Sequence, residues 1–164
     1  MGQQQTIPGW EQRSQLRLEG QRLRGELLDA FARLEIAVLV KLERLGGKAC
    51  ASAPFGQKLA AVREAVRETS DEKRIAVLVE KAAPLAAQRA DIVHSIMSVM
   101  PSDDGEGVRW LLLFQNCGDP ERPPLALTKQ QLKALITKLK QLANEFSQQQ
   151  LKAPTPTAPA PPTG

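Results

Sequence analysis

The chain has one histidine, His94, which stands five residues after Arg89 in the stretch QRADIVHSIM, residues 88–97. An imidazole takes and gives protons near neutral pH, and a guanidinium grips phosphate oxygens through a two-pronged fork. Together these types can work on a phosphodiester without a metal, one moving a proton and the other steadying the phosphate charge. The pattern around Arg89 sharpens that reading. From Ser70 and Asp71, both helix-capping types, the apolar positions step by three and four through Ile75, Leu78, Ala82, Leu85, Arg89, Ile92, Ile96 and Val99. Arg89 therefore fills a seam slot where an apolar residue is expected. An unpaired charge in such a slot is costly, so an anion must meet it. Two kinds qualify: a carboxylate from the first helix (Asp29, Glu35 or Glu43), or a phosphate.

At about 100° per residue, His94 lies roughly 140° around the helix from Arg89. Its own row is Ala83, Ala87, Ala90, His94 and Met97, and side chains that small let a second helix come close. An Arg and a His pointing apart make a poor site alone, but a second copy laid against the alanine row would complete one. The angle favours a homodimer.

Four helices are expected to carry these residues. Glu11 to Leu45 repeats Leu16, Leu23, Leu27, Phe31, Leu34, Val38, Leu42 and Leu45 at helical spacing, and Gly46 and Gly47 end it. A shorter helix follows from Gln57 to Glu68. The third runs from Ser70 through Val99 as one bent helix or two nearly collinear ones, because Pro84 removes a hydrogen bond within it. PSDDGEG, residues 101–107, reads as a turn, and VRWLLLFQ, Val108 to Gln115, as a strand or buried extended segment. After the loop NCGDPERPP, Thr128 and Gln131 form a capping box for a last helix with the stripe Leu132, Leu135, Ile136, Leu139, Leu142, Ala143 and Phe146. The expected fold class is all-α, a four-helix up-and-down bundle with a short strand-like insert before the last helix. Residues 11–152 form its one domain, 1–10 a flexible N-terminus and 153–164 a disordered Pro/Thr/Ala tail.

The formal net charge of +4 sits mostly at the end of the chain, where residues 127–152 hold five lysines against Glu145. Lys129, Lys133 and Lys140 share one edge of the last helix. Such an edge either tracks an RNA backbone or covers core surface with its alkyl stems. Trp10 is isolated, Trp110 sits in an apolar run that reads as buried, and there is no Tyr, so base-stacking platforms are not expected. No Gly-rich phosphate loop appears. With one His, and with Cys50 and Cys117 far apart, neither a metal site nor a cofactor is expected, and the thiols read as reduced. There is no membrane-length apolar run and no secretory signal pattern, which points to the cytoplasm; MGQQQT matches a myristoylation pattern only in outline.

Arg-x4-His late in a helix, followed by Ser95, resembles the motif of HEPN domains. The long first helix, PFGQKL opening the second, QRADIVHSIM, the apolar insert and the final LTKQQLKALITKLKQL extend the likeness over residues 20 to 150. The resemblance implies a metal-independent endoribonuclease acting as a homodimer with its two motifs facing each other. His94 would move the ribose 2′-hydroxyl proton and Arg89 would hold the scissile phosphate. The family likeness also implies a toxin–antitoxin or phage-defence setting, with a nucleotidyltransferase-like antitoxin as partner. Where many family members carry a polar residue after the arginine, commonly Asn, this chain has Ala90 and then Asp91. The alternative is a non-catalytic HEPN-like interaction or regulatory module.

Overall fold

The structure is a computed structural model that describes residues 10–48, 52–103 and 108–148. The expectations for the N-terminal nine residues, for Cys50 and for the Pro/Thr/Ala tail lie outside these residues. Four helices, α1 (Trp10–Arg44), α2 (Phe55–Ala65), α3 (Glu72–Val93) and α4 (Lys129–Ser147), are joined by three strands, β1 (Ser95–Asp103), β2 (Val108–Asn116) and β3 (Leu125–Thr128). The strands form one antiparallel sheet in the order β1-β2-β3.

This corrects the all-α expectation. The third helix stops at Val93, not Val99, and Ile96 and Val99 belong to β1. Residues 95–100, SIMSVM, can be placed in two ways, since Ile96 and Val99 continue the three-and-four rhythm, whereas the folded stretch turns Ser95, Met97 and Val99 inward and leaves Ile96, Ser98 and Met100 exposed. Pairing decides between them: Ser95–Asp103 runs against Val108–Asn116 across nine registered positions, and a ladder formed with a distant segment overrides local pattern. VRWLLLFQ, expected as a strand or buried extended segment, is the strand β2, and LALT, of which the sequence reading placed only Thr128, as a cap, is β3.

The up-and-down order also fails. Glu35 meets Lys58, and Gly47 lies against Ala65, so α2 runs parallel to α1. Lys41 meets Asp71 while Arg24 reaches Ile92, so α3 runs back. Lys129 meets Glu19 near the start of α4, and Lys140 and Asn144 lie beside Asp29 and Arg33, so α4 again follows α1. From α3 to α4 the chain reverses as a single tight connection would reverse it, so the departure from up-and-down order lies in the parallel step from α1 to α2.

The core is aliphatic and centred on α1. Leu23, Leu27, Phe31, Leu34, Val38 and Leu42 are buried in it together with Leu59 and Val62 of α2, Ile75, Leu78, Leu85 and Ile92 of α3, and Leu132, Ile136, Leu139 and Phe146 of α4. The inner sheet face adds Val99, Leu112 and Phe114. Gly20 permits this docking: a Cβ there would come within 2.8 Å of Leu112 Cδ2 and 3.2 Å of Met97 Cε. Gly46, at φ +73°, ends α1 in the left-handed conformation as its sequence position suggests. Pro84 lies on an exposed face of an unbroken α3, and the Thr128–Gln131 capping box is formed in both directions at 3.1 and 2.8 Å.

Candidate functional site at the end of helix α3

The last turn of α3 has no basic residue of its own to meet its free carbonyls. Arg24, from the middle of α1, supplies one. Its Nη2 donates to the carbonyls of Ile92 at 3.0 Å, Val93 at 3.2 Å and Ser95 at 2.9 Å. A cation at the negative end of a helix is favourable both as a hydrogen-bond donor and through the helix dipole. Just beyond, Ser95 Oγ donates to the Ile92 carbonyl at 2.9 Å, and the His94 carbonyl accepts the Cys117 N–H at 2.8 Å. His94 is the C-cap residue itself, its N–H donating to Ala90. Its backbone is thus bonded to α3 and to Cys117 just beyond β2, between neighbours that Arg24 ties to α1, while its side chain is exposed.

Arg89 meets a carboxylate, one of the two partner classes expected for it, and the carboxylate is Glu35 rather than Asp29 or Glu43. The contact is long: Arg89 Nη2 lies 3.4 Å from Glu35 Oε2. Glu35 Oε1 is held far more tightly by Lys58 Nζ, at 2.5 Å. Lys58 is only 2% exposed, whereas the Arg89 side chain is 37% exposed. The carboxylate therefore serves the buried ammonium first, and Arg89 keeps most of its five N–H donors for another anion. Lys58 escaped the sequence reading, although the same rule that singled out Arg89 applies to it. It lies between Phe55 and Val62 in the apolar stripe of α2, again a cation in a seam slot.

Around this pair, Asp91 of α3 accepts from Arg122 of the β2–β3 loop at 3.0 Å. Gln88 Oε1 and the second Asp91 oxygen are buried without a hydrogen-bond partner among the described residues. The alanine row is present in shortened form. Ala83, Ala87, Ala90 and His94 are all exposed along α3, but Met97 leaves the row because it belongs to β1 and packs toward Gly20.

The three lysines do not join Arg89 and His94 within one chain. Lys129 is bound to Glu19 at 2.6 Å, and this bond holds the Glu19 carboxyl below its usual range, with Lys133 nearby adding to the effect. Lys140 lines a polar groove with Glu26, Asp29 and Arg33. Glu26 and Glu35 are nine residues apart, about 180° around α1. The lysine edge and the α3 site therefore flank opposite sides of that helix. Trp110, read from sequence as buried, is half-buried and borders a hollow with Leu16, Lys129 and Lys133.

Among the described residues, no group of three or more His, Cys, Asp or Glu side chains is arranged to hold a metal ion, and no helix is long and apolar enough to cross a membrane. Compared with protein-family models, curated proteins and solved structures, the chain matches none of them.

Proposed function

We infer that the end of α3 is an RNA-directed phosphate site of HEPN type, whose working unit is a homodimer. One observation carries the reading: Arg89 keeps unused, accessible donors because Lys58 claims its carboxylate, and it stands on the same helix as an exposed His94 at the end of an uncovered alanine row. Arg89 and His94 are five residues apart, about 7.5 Å along the helix axis and on different faces. Two copies meeting along the alanine row bring one chain's guanidinium toward the other's imidazole. In such a site Arg89 takes the phosphate, and His94 moves the 2′-hydroxyl proton so that the ribose oxygen displaces the 5′-oxygen. The lysine edge, on the far side of α1, guides RNA only along a separate path. The toxin–antitoxin or phage-defence setting, and the nucleotidyltransferase-like partner, rest on the family likeness alone.

A second reading has its own support. The Glu35 contact gives Arg89 a structural partner, as a non-catalytic interaction module of the same family would need.

Full-length protein incubated with a mixed RNA in EDTA separates the two. Cleavage that falls by about 10² or more in both His94→Ala and Arg89→Ala supports the ribonuclease. Sedimentation should then show a dimer that Ala87→Glu splits, with loss of cleavage. Cleavage indifferent to both substitutions overturns the site. Absence of cleavage with an intact, Ala87-dependent dimer selects the module.

A further inference from the structure

The free edge of β1 faces a groove that no part of the described chain fills. β1 is an outer strand of the sheet. Cys117 N–H bonds to the His94 carbonyl, and 94 and 117 continue the β1–β2 register, which sets the phase of the ladder. Even-numbered residues of β1 therefore exchange hydrogen bonds with β2, and odd-numbered ones turn their N–H and C=O outward. Two residues confirm that phase. The Ser95 carbonyl accepts from Arg24 on the outer side, and Pro101, which has no N–H, takes an outward position where the ladder loses nothing. Between them the N–H and C=O groups of Met97 and Val99 point away from the sheet.

A groove of about 470 Å³ runs along these residues, with Arg13, Ser14 and Arg17 of α1 as its opposite wall. α1 passes the strand in the opposite direction: Arg24 lies at Ser95, Gly20 at Met97, and the two arginines one and two turns further on. Arg13 and Arg17 are exposed and form no ion pair among the described residues. The outer sheet face beside the edge is apolar and open, with Ile96 69% and Met100 48% exposed. Residues 95–100 of β1 carry no charge of the kind that usually blunts such an edge; Pro101 and Asp103 come only at its end.

We propose that this groove binds an extended acidic segment of another protein, added as a fourth strand beside β1, with its carboxylates on Arg13 and Arg17. Two outward backbone pairs in line, an open groove walled by a helix, and positive charge that is unpaired among the described residues are what strand addition of an acidic peptide calls for. A second copy of this chain fits worse, because pairing β1 with itself sets one arginine wall against another. The proposal stands apart from the ribonuclease reading, since it uses neither Arg89 nor His94.

The test uses the full chain and three fluorescein-labelled decapeptides: one alternating Val with Glu, one alternating Val with Lys, and the Glu peptide with alternate amides N-methylated. Anisotropy should show the Glu peptide binding at least tenfold more tightly than the Lys peptide or the methylated form. The surface double variant Arg13→Glu/Arg17→Glu should reverse the preference to Lys. NMR hydrogen exchange should show the amides of Met97 and Val99 becoming protected when the Glu peptide binds. Equal binding of the Glu and Lys peptides, or binding without protection at those two amides, overturns strand addition. Protection of the same amides by self-association without peptide assigns the edge to a second copy and overturns the acidic partner, as does displacement of bound peptide by single-stranded RNA.

Discussion

Arg89 and Lys58 share Glu35, and the distances assign them different work. Lys58 is buried and close to the carboxylate, whereas Arg89 is a third exposed and distant from it. Neutralising the shared acid leaves a buried ammonium without its carboxylate, so Glu35→Gln should lower unfolding free energy by about 3 kcal/mol or more. Arg89→Met should cost under about 1 kcal/mol, as for a weakly held, partly exposed pair. Urea denaturation of both variants checks the contrast. If Arg89→Met costs as much as Glu35→Gln, Arg89 is there for structure. Arg24 is a further residue on which the site depends. Three carbonyls at the α3–β1 junction converge on one of its nitrogens, and hydrogen bonds to a charged group contribute about 1.5–3 kcal/mol. Arg24→Met should therefore destabilise by about 2 kcal/mol and loosen His94, read as faster amide exchange at His94 and Ser95 before any global unfolding. Arg89 was legible as a cation in an apolar stripe, and Lys58, though passed over, obeys the same rule. What met them was not, because Glu35 is one of several acids on α1 and only the packing of α2 and α3 selects it.

The docking of the sheet onto α1 turns on the space above Gly20, where a side chain would meet Leu112 and Met97. Ala at this position gains helix propensity and asks two flexible side-chain ends to shift. Leu has no room, and Gly20→Leu should destabilise by about 2 kcal/mol or more through overpacking, seen as a lower thermal midpoint. Adding Met97→Ala to that variant should return part of the loss; no recovery would show that the sheet does not seat on α1 at this point. The helices themselves were readable, since α1, α2 and α4 follow their apolar periods to within a few residues and the Thr128 cap is formed. Of the three strands only β2 was visible, being a dense apolar run between turn residues. β1 hides in a continuing helical rhythm, and β3 has four residues, too few for alternation to register.

At the scale of the molecule, two ion pairs besides those of Glu35 fasten other helices to α1 among the described residues: Lys41 with Asp71 at the start of α3, and Glu19 with Lys129 at the start of α4. The hydrogen bond from Lys41, aided by its charge and that of Arg74, holds the Asp71 carboxyl below its usual range against the opposing effect of burial. The Lys129 bond does the same for Glu19. A carboxylate with a lowered folded pKa adds stability that is complete above its unfolded value, about 4, and is lost as pH falls through the folded one. The urea midpoint should thus hold steady from pH 7 to 5 and decline below about pH 4. Asp71→Asn should flatten that decline visibly. Glu19→Gln should alter it less, because that pair is partly exposed and screened by water; an acid limb unchanged by Asp71→Asn would refute the link.

Local chemistry was enough to establish the helix-forming stripes, the glycine stop after α1, the capping box of α4, and one cation, Arg89, standing where an apolar side chain belongs. Each of these depends on residues within a few turns of one another, and neighbours in the chain carry their own physics. The direction of α2 and α4, the existence of the sheet, the choice of Glu35, and the separation of Arg89 from the lysine edge by the width of α1 came from contacts between segments tens of residues apart. Such contacts are settled by the burial of the entire core together. No stretch of the chain holds enough of that core to announce them.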